Sequence, residues 1–284
     1  MAAPQTWLIT GASSGFGAVL AEAVLKAGHR VVATARNPVR AAQTHPQIES
    51  LGGSWLQLDV TRPDTKETVE EAIRKQGRID VVVNNAGYAL LGSVEDMSEE
   101  EIHQQINTNV YGPMRVIKAA LPFMRAQKSG TIVNISSIAG LQALPSCSLY
   151  AASKFGLEGF SEALSKEIAP FNIRVLIVEP GAFRTNFLSA YATPAAGLNP
   201  VYEGTAIDQV LQVFQRGDGT QAGDPVKAVE RIIDVIQGTG VGAGKTGLLR
   251  LPLGRDCMSR ARVKMDELTK NLDEMEEIAC STDF

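Results

Sequence analysis

Short, almost unbroken apolar runs alternate along this chain with longer segments in which apolar residues recur every three to four positions. The runs are predicted to be strands, and they cover residues 6–10, 30–35, 54–60, 79–87, 131–137, 173–181 and 246–253. The longer segments are predicted to be helices, and they cover 17–28, 65–77, 98–110, 112–127, 148–169 and 224–237. Strands that are apolar on both faces are typical of a parallel sheet with helices on each side. The alternation therefore predicts an α/β fold with a single doubly wound, mostly parallel, seven-stranded sheet.

The composition argues against several classes of function. Of the 284 residues, 44% are hydrophobic and 20% are charged, so a sizeable core is expected. The net charge is −4 and no basic run occurs, which argues against nucleic acid as a partner. No apolar run reaches the length of a membrane span and the N-terminus lacks the features of a signal peptide, so a cytoplasmic protein is expected. The three cysteines and three histidines have no ligand spacing, which predicts free thiols and no metal site.

A glycine-rich turn joins the first predicted strand to the first predicted helix. Segment 10–17 reads TGASSGFG, and its candidate phosphate-binding residues are Gly11, Ser13, Ser14, Gly15, Phe16 and Gly17. The glycines allow a sharp turn and a close approach of the backbone to a pyrophosphate, while the helix N-terminus offers free N–H groups. The spacing G-x-x-x-G-x-G differs from the better-known G-x-G-x-x-G, and a plain tight loop is the alternative interpretation.

A tyrosine and a lysine, Tyr150 and Lys154, stand one turn apart on the same face of a predicted helix. An ammonium beside a phenol favours the phenolate, so the pair predicts a Tyr150 pKa lowered towards neutral pH and a role in proton transfer. Taken alone, the pair is better explained as a packed tyrosine near a solvated lysine, and the other motifs of the chain decide between the two interpretations.

Together these motifs resemble those of the short-chain dehydrogenase/reductase family. The resemblance covers residues 6 to about 185 and consists of TGASSGFG at 10–17, NNAG at 84–87, Ser137 thirteen residues before Tyr150, and YAASK at 150–154. It implies a Rossmann-like fold and four catalytic residues: Asn109, Ser137, Tyr150 and Lys154. Ser137 and Tyr150 would bind the substrate oxygen, Tyr150 would transfer the proton, and Asn109 would hold a water in a proton relay. The alternative for Asn109 is a helix-interior asparagine bonded to backbone groups.

The resemblance also implies where a nicotinamide cofactor binds. Beyond the glycine-rich turn and the Tyr150–Lys154 pair, the implied cofactor contacts are Arg36, Asp59, Val60, Asn85, Ala86, Gly87, Pro180, Gly181, Phe183 and Thr185. The alternatives are that Asp59 caps the following turn and that Thr185 is the N-cap of a helix.

The end of the second predicted strand bears on which cofactor is used. An acidic residue there would bind the ribose 2′-hydroxyl of NAD, but this segment has Arg36, whose guanidinium suits the 2′-phosphate of NADP. We therefore interpret Arg36 as an indication of NADP(H) binding. The alternative is that Arg36 is simply an arginine on a solvated loop. Ser14 stands where the family sometimes places a second basic residue, so the preference need not be absolute.

The chain is expected to be one dinucleotide-binding domain over residues 1–284, with a substrate lid at about 186–223 and a C-terminal helical extension at about 254–279. The lid includes a predicted amphipathic helix at 204–217 and is rich in small and apolar residues, which favours a hydrophobic substrate. The extension carries an apolar stripe that is expected to be buried, on its own domain or on another subunit. The resemblance permits a homodimer or a homotetramer.

The sequence thus predicts an oxidoreductase of the carbonyl reductase or ketoreductase type, which transfers a hydride between NADPH and a small-molecule ketone or aldehyde. Three alternatives remain at this point. The first is a non-catalytic NADP-binding sensor or scaffold, and the second is the same enzyme acting mainly as an alcohol dehydrogenase. The third, a cofactor-free lyase or dehalogenase on the same fold, would have replaced the glycine-rich turn, which is intact.

Overall fold

A computed structural model describes residues 3–284 and contains one seven-stranded sheet. The strands are β1 (Thr6–Ile9), β2 (Arg30–Ala35), β3 (Ser54–Gln57), β4 (Val81–Asn84), β5 (Gly130–Ile135), β6 (Ile173–Pro180) and β7 (Arg250–Leu253). They lie in the order β3-β2-β1-β4-β5-β6-β7, and every neighbouring pair is parallel. The predicted doubly wound fold is therefore confirmed, with the reversal of strand order between β1 and β4.

Ten α-helices accompany the strands in the described residues. They are α1 (Gly15–Lys26), α2 (Pro38–Thr44), α3 (Pro46–Ser50), α4 (Thr65–Gln76), α5 (Glu99–Ile106), α6 (Gly112–Gln127), α7 (Ser148–Ile168), α8 (Ala206–Gly217), α9 (Pro225–Gln237) and α10 (Arg255–Cys280). Helices α1 and α9 pack on one face of the sheet, while α4, α6 and α7 pack on the other. The strands inside the sheet are therefore buried on both sides, which explains their nearly continuous apolar sequences, while the edge strands β3 and β7 are only partly buried.

The core consists of two apolar layers that the sheet separates. Trp7 and Ile9 point to the layer under α1 and α9, while Leu8 points to the layer under α4, α6 and α7. Alternate residues of β1 thus reach opposite faces, and all of them are fully buried. The carboxyl ends of the strands all lie at one edge of the sheet, where the loops that carry the polar motifs come together.

Several predicted boundaries differ from the structure. The strands expected at 54–60, 79–87 and 246–253 are shorter, because their outer residues leave the sheet to form loops at its edge. Helices α2 and α3 were not predicted, since each is short and begins at a proline, Pro38 and Pro46. The helix expected over 98–110 ends at Ile106, where a π-helical turn (Asn107–Tyr111) leads into α6.

Two negative findings apply to the described residues 3–284. None of their helices has the length and apolar character needed to cross a membrane. No group of three or more histidine, cysteine, aspartate or glutamate side chains is arranged to hold a metal ion.

Candidate active site

One large cavity of about 880 Å³ opens at the carboxyl edge of the sheet. It is lined by residues that follow β1, β2, β3, β4, β5 and β6 and by residues of the lid segment. All of the predicted site residues line it except Gly17 and Asn109. The sheet topology therefore gathers motifs that are up to 174 residues apart in sequence, from Gly11 to Thr185, around one space.

The glycine-rich turn between β1 and α1 is shaped by glycine itself. Gly11 and Gly15 have φ angles of +64° and +54°, in the left-handed region that other residues rarely adopt. A Cβ at Gly11 would lie 2.8 Å from Ala86 Cα, and a Cβ at Gly17 would lie 2.5 Å from Asn85 Nδ2. Gly17 thus stands behind the cavity wall, where it allows the turn to pack against the end of β4.

The N-terminus of α1 is open towards the cavity. Its N-cap residue Ser14 makes no side-chain capping hydrogen bond, and the first backbone bond of the helix runs from Ala18 N to Ser14 O. The preceding N–H groups of Gly15 and Phe16, which line the cavity, are therefore left to a ligand, at the positive end of the helix dipole. This arrangement fits a pyrophosphate.

The segment after β4 is tied to the glycine-rich turn. Asn85 Nδ2 donates to Thr10 O and Gly11 O at 2.9 and 3.0 Å, and Thr10 Oγ1 accepts from the N–H groups of Asn85 and Ala86. These bonds fix both loops at the same edge of the sheet. Gly87 follows in the chain. A Cβ at this position would lie 3.1 Å from Asn109 Oδ1, so the absence of a side chain leaves space in the cavity here.

Arg36 and Asp59 lie together at the ends of β2 and β3. Arg36 is exposed and lines the cavity, with no ion-pair partner within 4.0 Å among residues 3–284. Burial alone would raise the pKa of Asp59, but hydrogen bonds from Thr61 and the charges of Arg36 and Arg62 lower it. Asp59 Oδ1 accepts from both Thr61 N and Thr61 Oγ1, so Asp59 does cap the following turn while it faces the cavity.

Ser137 and Tyr150 bring two hydroxyl groups together. Ser137 follows β5, and its Oγ accepts from Ala139 N at 3.1 Å, which leaves its own proton free to donate. The neighbouring Ser136 donates to the buried Glu158 at 2.6 Å, since successive residues at the end of a strand point to opposite sides. Tyr150 is buried in an apolar cluster with Leu91 and Cys147.

The sequence predicted a lowered pKa for Tyr150, but this is wrong: the surrounding protein groups raise it. Burial raises the pKa of Tyr150 to about 12, and a hydrogen bond from Ser137 opposes this only in part. The Lys154 ammonium lies 5.8 Å from the centre of the Tyr150 ring and donates instead to Ile135 O at 2.8 Å. Burial also lowers the pKa of Lys154 to about 8, against the attraction of Glu158. Loss of hydration therefore outweighs the pairing of the two groups.

Asn109 lies in the π-helical turn, directly behind Gly87. Its side chain accepts from Tyr88 N at 3.2 Å and donates to Tyr88 O and Ser153 Oγ at 2.9 and 3.0 Å. Asn109 is thus bonded to backbone groups, as one of the two interpretations predicted. Measured from a Cβ built on Gly87, Asn109 Oδ1 lies at 3.1 Å and Lys154 Nζ at 3.7 Å, so the two side chains flank one point.

The turn after β6 is supported by helix α10. Gly181 N donates to Leu253 O at 2.8 Å, and Ala182 N donates to Asp256 Oδ2 at 2.7 Å. A Cβ at Gly181 would collide with the Asp256 carboxylate, which explains the glycine. Thr185 Oγ1 accepts from Phe187 N at 3.3 Å, but no α-helix begins there, so the interpretation of Thr185 as a helix N-cap is wrong.

Several cavity residues were not predicted, among them Tyr88 and Leu91 after β4. Gln142 and Cys147 come from the loop between Ser137 and Tyr150, and Asp256 and Arg260 come from the first turns of α10. The lid segment adds further residues that had been predicted only as a range: Asn186, Phe187, Leu188, Ala190, Tyr191, Val213, Phe214, Gly217, Thr220 and Gln221. Only the path of the chain in three dimensions brings α10 to this site, and no local motif indicates it.

A family model described as short chain dehydrogenase matches residues 5–195 of this chain. Among curated proteins, the oxidoreductase claN of Passalora fulva is 53% identical over 208 residues, which are 73% of this chain and 94% of that protein.

Solved structures give the same result. A short-chain dehydrogenase from Streptomyces avermitilis is 37% identical, with a TM-score of 0.86 over 99% of this chain and 100% of that one. A short-chain dehydrogenase from Sphingobium yanoikuyae, solved in complex with NADPH, is 27% identical, with a TM-score of 0.70 over 95% of each chain.

Proposed function

The chain belongs to the short chain dehydrogenase family of oxidoreductases, and we propose that it is an NADP(H)-dependent member that reduces the carbonyl group of an apolar small molecule. The observation that carries this proposal is the meeting of the Ser137 and Tyr150 hydroxyls in the cavity, beside the buried ammonium of Lys154. Two hydroxyl donors directed at one oxygen stabilise the negative charge that develops as a carbonyl is reduced.

The residues around the glycine-rich turn fit a dinucleotide. The free N–H groups at the start of α1 would bind the pyrophosphate, and Arg36 would pair with a 2′-phosphate. Asp59 and Val60 would border the adenine. Asn85, Ala86 and Gly87 would border the ribose, where small side chains leave room. When bound, the cofactor supplies the hydride.

The nicotinamide end would lie between Lys154 and the turn after β6. Lys154 would bind the adjacent ribose with the two donors that its bond to Ile135 leaves free. Pro180, Gly181, Phe183 and Thr185 would hold the ring on the other side. Gly181 and Ala182 are already fixed by hydrogen bonds to Leu253 and Asp256, so this wall is rigid before any ligand binds.

The high pKa of Tyr150 suits reduction. At neutral pH the phenol is protonated, so it can donate its proton to the alkoxide as this forms. Lys154 is charged below its pKa of about 8 and provides the positive field that stabilises the phenolate left behind. Asn109 would connect Lys154 to solvent through a water beside Gly87. The reverse reaction, alcohol oxidation, would first require Tyr150 to lose its proton.

The lid segment gives the substrate region its apolar character. Leu90 and Ala192 form a β-bridge, and Leu91 N donates to Ala192 O at 2.9 Å, so the segment is anchored next to β4. The Phe187 ring centre lies 5.8 Å from that of Tyr150, and Phe214 of α8 packs against the same cluster. A carbonyl at Tyr150 would therefore be surrounded by aromatic and aliphatic groups, which favours an apolar ketone or aldehyde.

The proposal is tested by measuring NADPH consumption with a panel of apolar ketones, aldehydes and quinones, and again with NADH. We expect turnover with several panel members. Tyr150→Phe removes the proton donor and is expected to lower kcat at least a hundredfold, with NADPH affinity unchanged because the ring and Lys154 remain. A Phe variant with a near-normal rate would disprove the role of Tyr150. Tight NADPH binding with no turnover of any panel member would support a sensor or scaffold instead.

A further inference from the structure

The side chain of Arg260 brings a positive charge into the part of the cavity next to Tyr150. Three cationic side chains line this cavity: Arg36, Lys154 and Arg260. The proposed function uses the first two for the cofactor and the phenol. Arg260 contacts the loop that joins Ser137 to Tyr150, so it faces the substrate rather than the dinucleotide.

Two hydrogen bonds fix the orientation of the Arg260 guanidinium. Its Nε donates to Gln142 Oε1 at 2.7 Å, and its Nη2 donates to Gln142 O at 3.1 Å. Both acceptors belong to one residue, so they hold one edge of the guanidinium plane. Over the part of the chain that the structure describes, Nη1 makes no hydrogen bond to protein. The guanidinium therefore has donors in a fixed direction that are still free.

The charge of Arg260 is not neutralised by an ion pair. Within residues 3–284, no carboxylate oxygen lies within 4.0 Å of its guanidinium. Asp256 lies one turn earlier on α10, but its Oδ2 is bound to Ala182 N. Burial lowers the pKa of Arg260, while the negative charge of Asp256 acts in the opposite direction. A partly buried cation without a partner is costly, and an anionic ligand group would remove that cost.

Arg260 brings a charge into a largely apolar space, in which two other charged lining residues, Lys154 and Asp256, are already bonded to Ile135 O and Ala182 N. Leu144, Cys147, Phe187 and Phe214 line the same cavity around Tyr150, and none of them carries a charge at neutral pH. An apolar substrate with one anionic group would match both properties at once. A planar guanidinium binds a carboxylate through two parallel hydrogen bonds, which gives orientation as well as affinity.

We propose that Arg260 binds a carboxylate of the substrate and so orients it, and that the preferred substrates are apolar ketones that carry a carboxylate at a distance from the reacting carbonyl. This inference rests on the proposed function. Arg260 would determine specificity without contacting the reacting carbonyl, while Ser137 and Tyr150 bind that group. Gln142 would be a positioning residue, because it acts on the substrate only through the guanidinium.

The test compares a series of oxo fatty acids, in which the keto group lies at different distances from the carboxylate, with the methyl esters of the same compounds. For the wild-type protein, we expect at least one acid to have a kcat/KM about tenfold or more above that of its ester, mainly through KM. Arg260→Leu should lower kcat/KM for that acid about ten- to hundredfold and leave the ester unchanged. Arg260→Lys keeps the charge but loses the planar pair of donors, so its kcat/KM for the acid should lie between those of the wild type and Arg260→Leu.

The matched control is Arg262→Leu, which removes the same charge from an exposed position on α10 and should leave the acid-to-ester ratio unchanged. An equal loss for acid and ester in Arg260→Leu would mean that Arg260 only anchors α10, and would overturn the inference. A wild-type protein that turns over ketones without distinguishing acids from esters would also overturn it. No turnover of any ketone, acid or ester, would instead contradict the proposed function. Should Arg260→Leu fail to fold, the ratio in Arg260→Lys decides alone.

Discussion

Burial controls the protonation of the two central residues, Tyr150 and Lys154. It raises the pKa of the phenol to about 12 and lowers that of the ammonium to about 8. Both shifts favour the neutral form of each group, as desolvation always does. The first group to titrate as pH rises from neutrality is therefore the lysine, although a tyrosine supplies the proton.

We expect carbonyl reduction to slow as the pH rises through about 8. Below that pH Lys154 is charged and stabilises the phenolate that forms during turnover; above it Lys154 is neutral and this stabilisation is lost. The measurement is kcat/KM for an apolar ketone between pH 6 and pH 10. Lys154→Arg keeps a positive charge over this range, so any activity it retains should not fall near pH 8. A wild-type profile that stays flat to pH 10 would contradict this assignment.

A second residue-scale prediction concerns the choice of cofactor. Arg36→Asp replaces the free cation at the end of β2 with a carboxylate, which would repel a 2′-phosphate and accept from a 2′-hydroxyl. We expect kcat/KM with NADPH to fall about tenfold or more, as for the loss of a charge-assisted hydrogen bond, and the ratio of NADH to NADPH efficiency to rise. Arg40→Asp on the exposed side of α2 makes the same charge change and serves as control. If the ratio of NADH to NADPH efficiency were the same in both variants, Arg36 would not determine the choice of cofactor.

Residues of this site differ in how far the sequence predicts them. Ser137, Tyr150 and Lys154 have fixed spacings within one strand-loop-helix unit, so the pattern alone indicates where they meet. Arg260 lies 110 residues after Tyr150, on a helix whose direction depends on how β7 ends. The pKa of Tyr150 also escaped prediction, because burial at this position depends on the packing of the lid.

At the scale of elements, a buried ion cluster joins α7 to β6 and β7. Arg250 of β7 forms ion pairs with Glu158 of α7 and Glu179 of β6, and both carboxylates are almost fully buried. Burial raises the pKa of Glu179, partly with the help of the nearby Glu158 and against Arg250. Glu158 also accepts from Ser136, which precedes Ser137. The cluster thus fixes the helix that carries Tyr150 relative to the loop that carries Ser137.

Removing one charge from this cluster should destabilise the protein. Glu158→Gln removes the charge of one of the two buried carboxylates that pair with Arg250. Because Glu179 still pairs with Arg250, we expect the free energy of unfolding to fall by about 2 kcal/mol, as for the loss of one hydrogen bond to a charged group. Denaturant unfolding measures it. The control is Glu162→Gln, one turn later on α7, whose carboxylate is half-exposed and 3.7 Å from Arg250. This control should change stability by less than about 1 kcal/mol. If both variants lost the same free energy of unfolding, the burial of the Glu158–Arg250 ion pair would contribute little to stability.

The irregular elements show why periodicity predicted some segments and missed others. Helices α4 and α9 have clear apolar faces and both end at a glycine in the left-handed conformation, Gly77 and Gly238, so their ends were predicted to within one residue. The π-helical turn at Asn107–Tyr111 has about one more residue per turn than an α-helix. Because it is a single turn, the periodicity of the apolar residues does not reveal it. Its Asn109 was found only through the family resemblance.

At the scale of the whole molecule, α10 has two different parts. Its first turns pack on the site through Cys257, which is fully buried, and through Asp256 and Arg260. Beyond Lys264 every residue is exposed, including the apolar stripe Met265, Leu268, Leu272, Met275 and Ile278. Of the two alternatives for the stripe, burial on its own domain is therefore wrong for these residues, and burial on another subunit stays a prediction. The stripe is regular but long, and it runs past the edge of the domain.

Deleting residues 265–284 should accordingly leave the stability of the single chain almost unchanged. No side chain in that range is buried, so no apolar area is lost from the core, and the Arg260 contacts remain. We expect the Tm at low protein concentration to change by about 2 °C or less and ketone reduction to persist. Deleting residues 255–284 removes Cys257, Asp256 and Arg260 as well, and should lower both Tm and activity. A loss of many degrees of Tm in the shorter deletion at low protein concentration would contradict the prediction. A full-length Tm that rises with protein concentration, while that of the shorter deletion does not, would show that another copy covers the stripe.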